Sequence, residues 1–117
     1  MNAYEIPNLR FSLPAGGAVA RGRFVSVDSN GNGVQANAST AIIGVSMNLT
    51  TAEEHAIGGH IVEVADGIVM VEAAGAITSG STVYSDANGK ATGTGTVVAG
   101  VAITGATGAG QLVAVKL

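Results

Sequence analysis

The chain has no cysteine and no tryptophan, and only two tyrosines and two phenylalanines among its 117 residues. Without cysteine, neither a disulfide framework nor a thiolate zinc site can form. Charged residues make up 11% of the chain, against about 25% in an average soluble domain. The five basic residues are scattered along the sequence. Because a nucleic-acid footprint requires clustered Lys and Arg, we expect no nucleic-acid partner.

Long apolar runs are also missing. No stretch approaches the roughly 18 residues that a membrane span needs, and the first residues lack the basic and apolar regions of a signal peptide. We therefore expect that the protein has no membrane partner. We also expect it to assemble in a cytoplasm. A chain of this length predicts one domain with a modest core.

The composition is rich in small and β-branched residues. Hydrophobic residues reach 47% although aromatics are 3%, and there are 18 glycines. This mixture of Ala, Val, Ile and Gly favours thin, tightly turned β structure. So few charges cover a monomer's surface poorly, which indicates that part of the surface is buried against partners.

An internal repeat organises the chain. Residues 17–31 align with residues 75–89 at an offset of 58 (Gly17 to Gly75), and residues 42–45 are echoed more weakly by residues 98–101 at an offset of 56 (Gly44 to Gly100). The sequence therefore predicts two related halves. The identical pairs are Gly17/Gly75, Ala18/Ala76, Gly22/Gly80, Val25/Val83, Asp28/Asp86, Asn30/Asn88 and Gly31/Gly89.

Each copy predicts a turn, a strand and a second turn. Gly22 and Gly80 precede β-prone runs and should adopt positive φ. Asp-x-Asn-Gly then predicts a hairpin turn, in which Asp opens the turn and Gly takes a left-handed position. We expect Gly22 and Gly80 to occupy equivalent places, and likewise Gly31 and Gly89.

Short apolar runs separated by turns predict an all-β fold, and two half-repeats favour a closed or clip-like small β-barrel, because closure removes exposed edges. The clearest predicted hairpin joins residues 60–65 to residues 68–72 through the dipeptide Asp66-Gly67. The one helix candidate covers residues 48–57, where Thr51 and Glu54 have capping-box spacing.

The first 14 residues predict an N-terminal arm, followed by a single barrel domain over residues 15–117. Pro7 makes a regular central strand unfavourable, although residues 10–13 alternate like a strand. Because an apolar arm normally finds cover, we expect it to dock on a partner, with packing back on the barrel as the alternative. The apolar set expected to dock is Tyr4, Ile6, Leu9 and Phe11.

No motif predicts catalysis or a metal site. Residues 28–33 match the start of an EF-hand loop, but Ser39 stands where the bidentate Glu is required, so a hairpin turn explains them better. No serine lies in a G-x-S-x-G elbow. Glu63, Asp66 and Glu72 share one predicted hairpin without a supporting basic group, so an acid/base pair there is disfavoured. We expect neither an enzyme nor a cofactor.

Several segments together carry a resemblance to a known family: 13–16 (Leu-Pro-Ala-Gly), 18–25 (Ala-Val-Ala-Arg-Gly-Arg-Phe-Val), 42–46 (Ile-Ile-Gly-Val-Ser), 66–71, 74–90 and 98–102. In this order they resemble the small capsid cement, or decoration, proteins of tailed bacteriophages. The resemblance extends over residues 10–117 and is strongest over residues 76–101.

This resemblance implies a β-barrel or β-tulip domain on the outer surface of the phage capsid, made in the host cytoplasm and commonly a homotrimer. Its implied partner is the major capsid protein, whose neighbouring subunits it would clamp, without enzymatic activity or cofactor. The arm of such proteins often reaches the capsid. The implied capsid or subunit interface therefore comprises Tyr4, Ile6, Leu9, Arg10 and Phe11.

Two alternatives remain open at the level of sequence. One is a carbohydrate- or receptor-binding β module of a phage tail or surface structure, although four aromatics leave few rings to stack on sugars. The other is a small β-fold enzyme or enzyme subunit.

Overall fold

The computed structural model of the chain describes residues 6–51, 53, 57 and 60–117. These residues form one antiparallel sheet of nine strands, so the predicted all-β fold class is confirmed. The strands are β1 (Ile6–Pro14), β2 (Phe24–Val27), β3 (Gly33–Gln35), β4 (Gly44–Ser46), β5 (His60–Glu72), β6 (Thr82–Ser85), β7 (Ala91–Thr92), β8 (Val98–Ala102) and β9 (Leu112–Lys116).

The long strand β5 is the centre of the sheet. The neighbouring strands run in the order β3-β2-β4-β5-β9-β8-β6-β7, and β1 also pairs with β5. The first half of β5 pairs with β4 and β1, and its second half pairs with β9. β5 therefore connects two groups of strands, one that precedes it and one that follows it in the chain.

Strand pairing confirms the predicted duplication. Phe24 pairs with Val45 between β2 and β4, and Thr82 pairs with Val101 between β6 and β8, which keeps the sequence offsets of 58 and 56. The next pairs follow the same rule: Val25 with Gly44, Val83 with Gly100, Ser26 with Val34, and Tyr84 with Thr92.

The duplication extends further along the chain than the sequence match. Phe11 pairs with Val64, and Val69 pairs with Val115, so β1 corresponds to the second half of β5 and the first half of β5 corresponds to β9. The first repeat thus covers residues 10–65 and the second repeat covers residues 68–117. Each repeat is the same four-strand unit with a short fifth strand, and β5 supplies one strand to each.

The predicted hairpin at Asp66-Gly67 is wrong, because residues 60–72 form a single strand. Gly67 has a φ of 109° and accepts a hydrogen bond from the Leu117 N–H at 2.9 Å, while Asp66 Oδ1 accepts the Gly67 N–H at 2.7 Å. The dipeptide therefore supplies a positive φ, as a turn would, but the chain continues forward. At this point β5 exchanges β4 for β9 as its partner.

Residues 6–14, which the sequence assigns to the arm, form β1 along β5. The register shifts between Pro7 and Leu9, and a bulge is a position at which a sheet tolerates proline. The division into an arm and a barrel stays a prediction. Residues 1–5 lie outside the described residues, as does part of the helix candidate at residues 48–57.

Among the described residues, the core consists of Val, Ala and Ile77 with one buried aromatic ring, Phe24. A larger cluster unites both repeats, and a smaller one lies within the first repeat. The larger comprises Phe24, Ala36, Val45, Ala65, Val69, Val71, Ala73, Ile77, Val83, Ala91, Ala102, Ala106, Val113 and Val115. The smaller comprises Ala15, Val19, Val25 and Val64, with Phe11, Leu13 and Ile43 packed against it.

Candidate functional site

The aspartates of the two repeated turns hold backbone groups. Asp28 Oδ1 accepts the N–H groups of Asn30 and Asn32 at 2.9 Å each, which keeps the pKa of Asp28 below its ordinary value. Asp86 Oδ1 accepts the corresponding groups of Asn88 and Lys90 at 2.8 and 2.9 Å. These are hairpin turns, as the sequence predicts, and the match to an EF-hand start is explained by the same residues.

The repeated glycines also occupy equivalent places. Gly22 and Gly80 have φ values of 72° and 86°, and their N–H groups donate to Ser46 O and Ala102 O. Gly31 and Gly89 have φ values of 81° and 74°. Since a side chain is strained at such φ values, local geometry accounts for glycine at all four positions.

A charge cluster joins the repeats at the end of β5. Glu72 Oε1 lies 3.4 Å from Arg23 Nη2, and Glu72 Oε2 lies 3.1 Å from Lys90 Nζ. Arg23 Nη1 donates to Asn88 O at 3.1 Å. The hydrogen bond from Lys90 and the charge of Arg23 lower the pKa of Glu72 despite partial burial. The cluster therefore keeps Glu72 ionised in a structural contact.

The sequence prediction missed the partners of Glu72. Arg23 is 49 residues away along the chain, and only the stacking of the repeats brings it to β5. Of the two other carboxylates considered with Glu72, Asp66 accepts its neighbour's N–H, and the side chain of Glu63 lies outside the described residues.

Backbone contacts seal the same junction. The Phe24 N–H donates to Gly89 O at 2.8 Å, and the Glu72 N–H donates to Gly22 O at 2.9 Å. A Cβ placed on Gly89 would lie 3.3 Å from Arg23 Cβ and 3.1 Å from Phe24 O. The turn of the second repeat therefore packs tightly against the beginning of β2 in the first repeat.

The second repeat presents an apolar surface, which we call the outward face and define by Tyr84, Val98, Val101 and Ile103. Val101 is 44% exposed, while the adjacent Ala102 points into the core. A register shift between Val83 and Tyr84 sets Val98 opposite Tyr84, so that Val98 also points outward. The sequence does not identify this face, because β8 is apolar at every position except Gly100 and shows no alternation.

The structure brings four of the predicted interface residues onto one strand. Ile6, Leu9, Arg10 and Phe11 all lie in β1, whereas Tyr4 lies outside the described residues. Arg10 is exposed, and Phe11 is half-buried against the smaller core cluster. The side chains of Ile6 and Leu9 lie outside the described part, and contact of this set with a capsid stays a prediction.

A cavity of about 410 Å³ opens at the junction of the repeats and is lined by Arg21, Gly22, Ser46, Met70 and Leu112. The hydroxyl of Ser46 in the cavity lining donates a hydrogen bond to Ala20 O, so it is engaged by the backbone. Among the described residues no three His, Asp or Glu side chains approach closely enough to hold a metal ion. No helix in the described part is long and apolar enough to cross a membrane.

A solved structure shares this fold. The head fiber gp8.5 N base in bacteriophage phi29 superposes with a TM-score of 0.70, covering 92% of this chain and 91% of that one. The two sequences are 21% identical, so the likeness shows the fold alone. No curated protein matches the chain.

The family comparison covers nearly the whole chain. The sequence profile of the phage cement proteins matches residues 7–117, which include β1 from its second residue onward, the junction of the repeats and the outward face. This chain therefore belongs to the phage cement protein family and is a structural protein associated with the phage head.

Proposed function

We propose that this protein binds the outer surface of a phage head as a homotrimer and stabilises the contacts between neighbouring major capsid protein subunits. The observation that carries the proposal is the family match over residues 7–117. The neighbour with the same fold is, by its name, the base of a head fiber, which supports a place on the head. Synthesis in the host cytoplasm and the lack of enzymatic activity belong to the same proposal.

The polar groups that stand out in the chain support a structural role. Asp28 and Asp86 hold turns, and Glu72 is bound by Arg23 and Lys90. These polar groups of the described residues thus serve the fold, which is consistent with a protein that acts through its contact surface. Repetition on a lattice strengthens weak contacts, because each bound trimer holds its remaining contacts at high effective concentration.

Strand β1 and the residues before it are the proposed capsid or subunit interface. The set is Tyr4, Ile6, Leu9, Arg10 and Phe11, of which Arg10 is exposed on β1. Phe11 packs partly against the smaller core cluster, so its capsid contact would use only its exposed part.

Adding the purified protein to empty heads that lack it tests the proposal. We expect it to co-sediment with the heads, to appear as trimers on their outer surface in a reconstruction, and to raise the temperature at which the heads fall apart. Heads that neither bind the protein nor gain stability would contradict the proposal. A glycan array run in parallel tests the alternative, since specific sugar binding without head binding would favour a carbohydrate-binding module.

A further inference from the structure

The two repeats pack on each other in one direction. The first repeat contributes a row of paired residues, Phe24, Val45 and Ala65, which we call its packing row. All three are fully buried in the larger core cluster. In the second repeat the same cluster contains Val69, Val71, Val83 and Val115, which we call the receiving face.

The packing row of the second repeat has no such cover within the chain. By the repeat register it consists of Thr82, Val101 and Lys116, paired in the same order. Val101 is 44% exposed, whereas its counterpart Val45 is completely buried. Val98 and Ile103, at 60% and 43% exposure, extend the apolar area around Val101. Val101 belongs to both this row and the outward face.

The receiving face of the first repeat is also incompletely covered. Two of its four residues, Val25 and Val64, are fully buried in the smaller core cluster. The other two, Phe11 and Leu13, are half-buried, whereas their counterparts Val69 and Val71 are fully buried. Val27, at its edge, is 45% exposed, while the counterpart Ser85 is 3% exposed. One chain therefore contains one completed row-to-face contact and the two unmatched halves of another.

The repeated turns show the same asymmetry. A Cβ placed on Gly89 would contact Gln35, Phe24 and Arg23, which all belong to the first repeat. A Cβ placed on Gly31, the counterpart of Gly89, would meet nothing within 4 Å. The turn of the second repeat thus packs against the segment that carries the packing row of the first repeat. The equivalent space beside the turn of the first repeat is open at Gly31.

We propose that a second copy of this chain fills these positions, with the packing row of the second repeat in one copy seated on the receiving face of the first repeat in the next. The occupant is identified by the chain itself. Within each molecule the packing row of the first repeat already lies on the receiving face of the second repeat, and the two unmatched surfaces are the repeat counterparts of that pair. The contact is heterologous, so successive copies close into a ring or extend as a filament. The inference rests on the proposed homotrimer and specifies its interface.

The contact between copies is weaker than the contact within the chain. Thr82 and Lys116 replace Phe24 and Ala65, so the row buries less apolar surface. Pro14 stands in the place of Glu72 and has no N–H to repeat the bond from Glu72 to Gly22 O. We therefore expect copies to separate on dilution, while the two repeats of one chain stay together until the chain unfolds.

Cysteine cross-linking tests the interface without background, because the chain has no cysteine. Within the chain the Cβ positions of residues 23 and 89 are 3.3 Å apart, close to the separation of about 3.8 Å in disulfides. Their counterparts between copies are Ser81 and Gly31. Gly31→Cys is made in one preparation and Ser81→Cys in another, and the two are mixed under mild oxidation, in concentrated solution and on heads.

We expect the mixture to give a disulfide-linked dimer that neither variant forms alone, and the double variant to give larger covalent rings. Gly31→Cys mixed with Thr107→Cys, at an exposed site outside the interface, is the matched control and should give no dimer. If Gly31→Cys lowers the melting temperature, Asn30→Cys in the same exposed turn replaces it.

Three results would overturn the inference: no dimer in the mixture under either condition, an equally strong dimer with Thr107→Cys, or a dimer of Ser81→Cys with itself, which would mean a two-fold contact. Head binding without the cross-link would refute this interface and leave the proposed function in place. A cross-link without head binding would support this interface and refute the proposed function on the head.

Discussion

Glu72 is the residue at which charge from both repeats meets. Its carboxylate contacts Arg23 of the first repeat and Lys90 of the second, and the three side chains are mostly buried at the junction. Arg23 Nε is buried there without a hydrogen-bond partner, so the arginine depends on its Nη contacts to Glu72 and Asn88. Loss of the carboxylate leaves a poorly compensated cation in a desolvated site.

Glu72→Gln should therefore lower the free energy of unfolding at pH 7 by about 1–2 kcal/mol. The folded-state pKa of Glu72 lies below its ordinary value of 4.5. Its contribution to stability is accordingly present above about pH 4.5 and is lost as the pH falls through the folded-state pKa. Urea unfolding between pH 3 and pH 7 measures this, since the variant should show a shallower fall in stability on acidification.

The control for this series is Glu53→Gln, at an exposed position. It should follow the wild-type curve. A Glu72→Gln curve parallel to that of the wild type would contradict the assigned ion pairs.

Gly100 marks a close approach of two strands. A Cβ at this position would overlap the backbone carbonyl of Lys116, and a Cβ on its counterpart Gly44 would lie 2.6 Å from Ala65 O. Gly100→Ala should lower the free energy of unfolding by about 1–3 kcal/mol, because the backbone of β9 must move. Gly108→Ala, where an added Cβ meets nothing within 4 Å, should stay within about 0.5 kcal/mol of wild type. Equal effects of the two substitutions would show that β8 and β9 are not this close.

At the scale of elements, the repeated turns could be predicted from sequence because their determinants are local. The Asp side chain of Asp-x-Asn-Gly accepts hydrogen bonds from N–H groups within the same five residues. The positive φ that each turn requires is supplied by its own glycine. The course of β5 could not be predicted in this way. Asp66-Gly67 supplies the same positive φ to a hairpin or to a bend, and the choice depends on the distant partners β4 and β9.

The contacts of the two turns predict unequal effects of the same substitution. Asp86→Ala should lower the free energy of unfolding by about 1–2 kcal/mol, since two N–H groups lose their acceptor and Gly89 O is no longer held against Phe24. Asp28→Ala should lower the free energy of unfolding by less. It removes an equivalent acceptor, but a Cβ placed on Gly31 would meet nothing within 4 Å, so this turn is not packed against the other repeat at that glycine. Thermal unfolding of both variants measures the difference, and a larger loss for Asp28→Ala would contradict the packing order of the repeats.

At the scale of the whole molecule, duplication explains both the core and the exposed surface. The two repeats of one chain stack in one direction, which buries the packing row of the first repeat and leaves that of the second exposed. The larger cluster therefore joins Phe24 and Val45 to residues of the second repeat. Sequence predicts the duplication, because repeated residues are visible in it. It does not reveal which row is buried, because Val45 and Val101 are the same residue type in similar apolar runs.

The N-terminal 14 residues, which the sequence predicts to be one arm, contain both strand β1 and the residues that precede it. β1 pairs with β5 from Ile6 to Pro14, and its Phe11 and Leu13 pack on the smaller core cluster. Residues 1–6 include only the first residue of that strand. Their deletion should therefore weaken head decoration, as expected of a docking arm, and leave the melting temperature nearly unchanged.

Deletion of residues 1–13 is the matched comparison. It removes nearly all of β1 together with Phe11 and Leu13, so it should lower the melting temperature sharply, because each lost apolar side chain contributes about 1.5–3 kcal/mol when fully buried. Head co-sedimentation and calorimetry on both deletions separate docking from folding. If the shorter deletion already prevents folding, the first six residues belong to the core and the docking role is refuted. If it folds and decorates heads as strongly as the full chain, the capsid contact lies elsewhere on the surface.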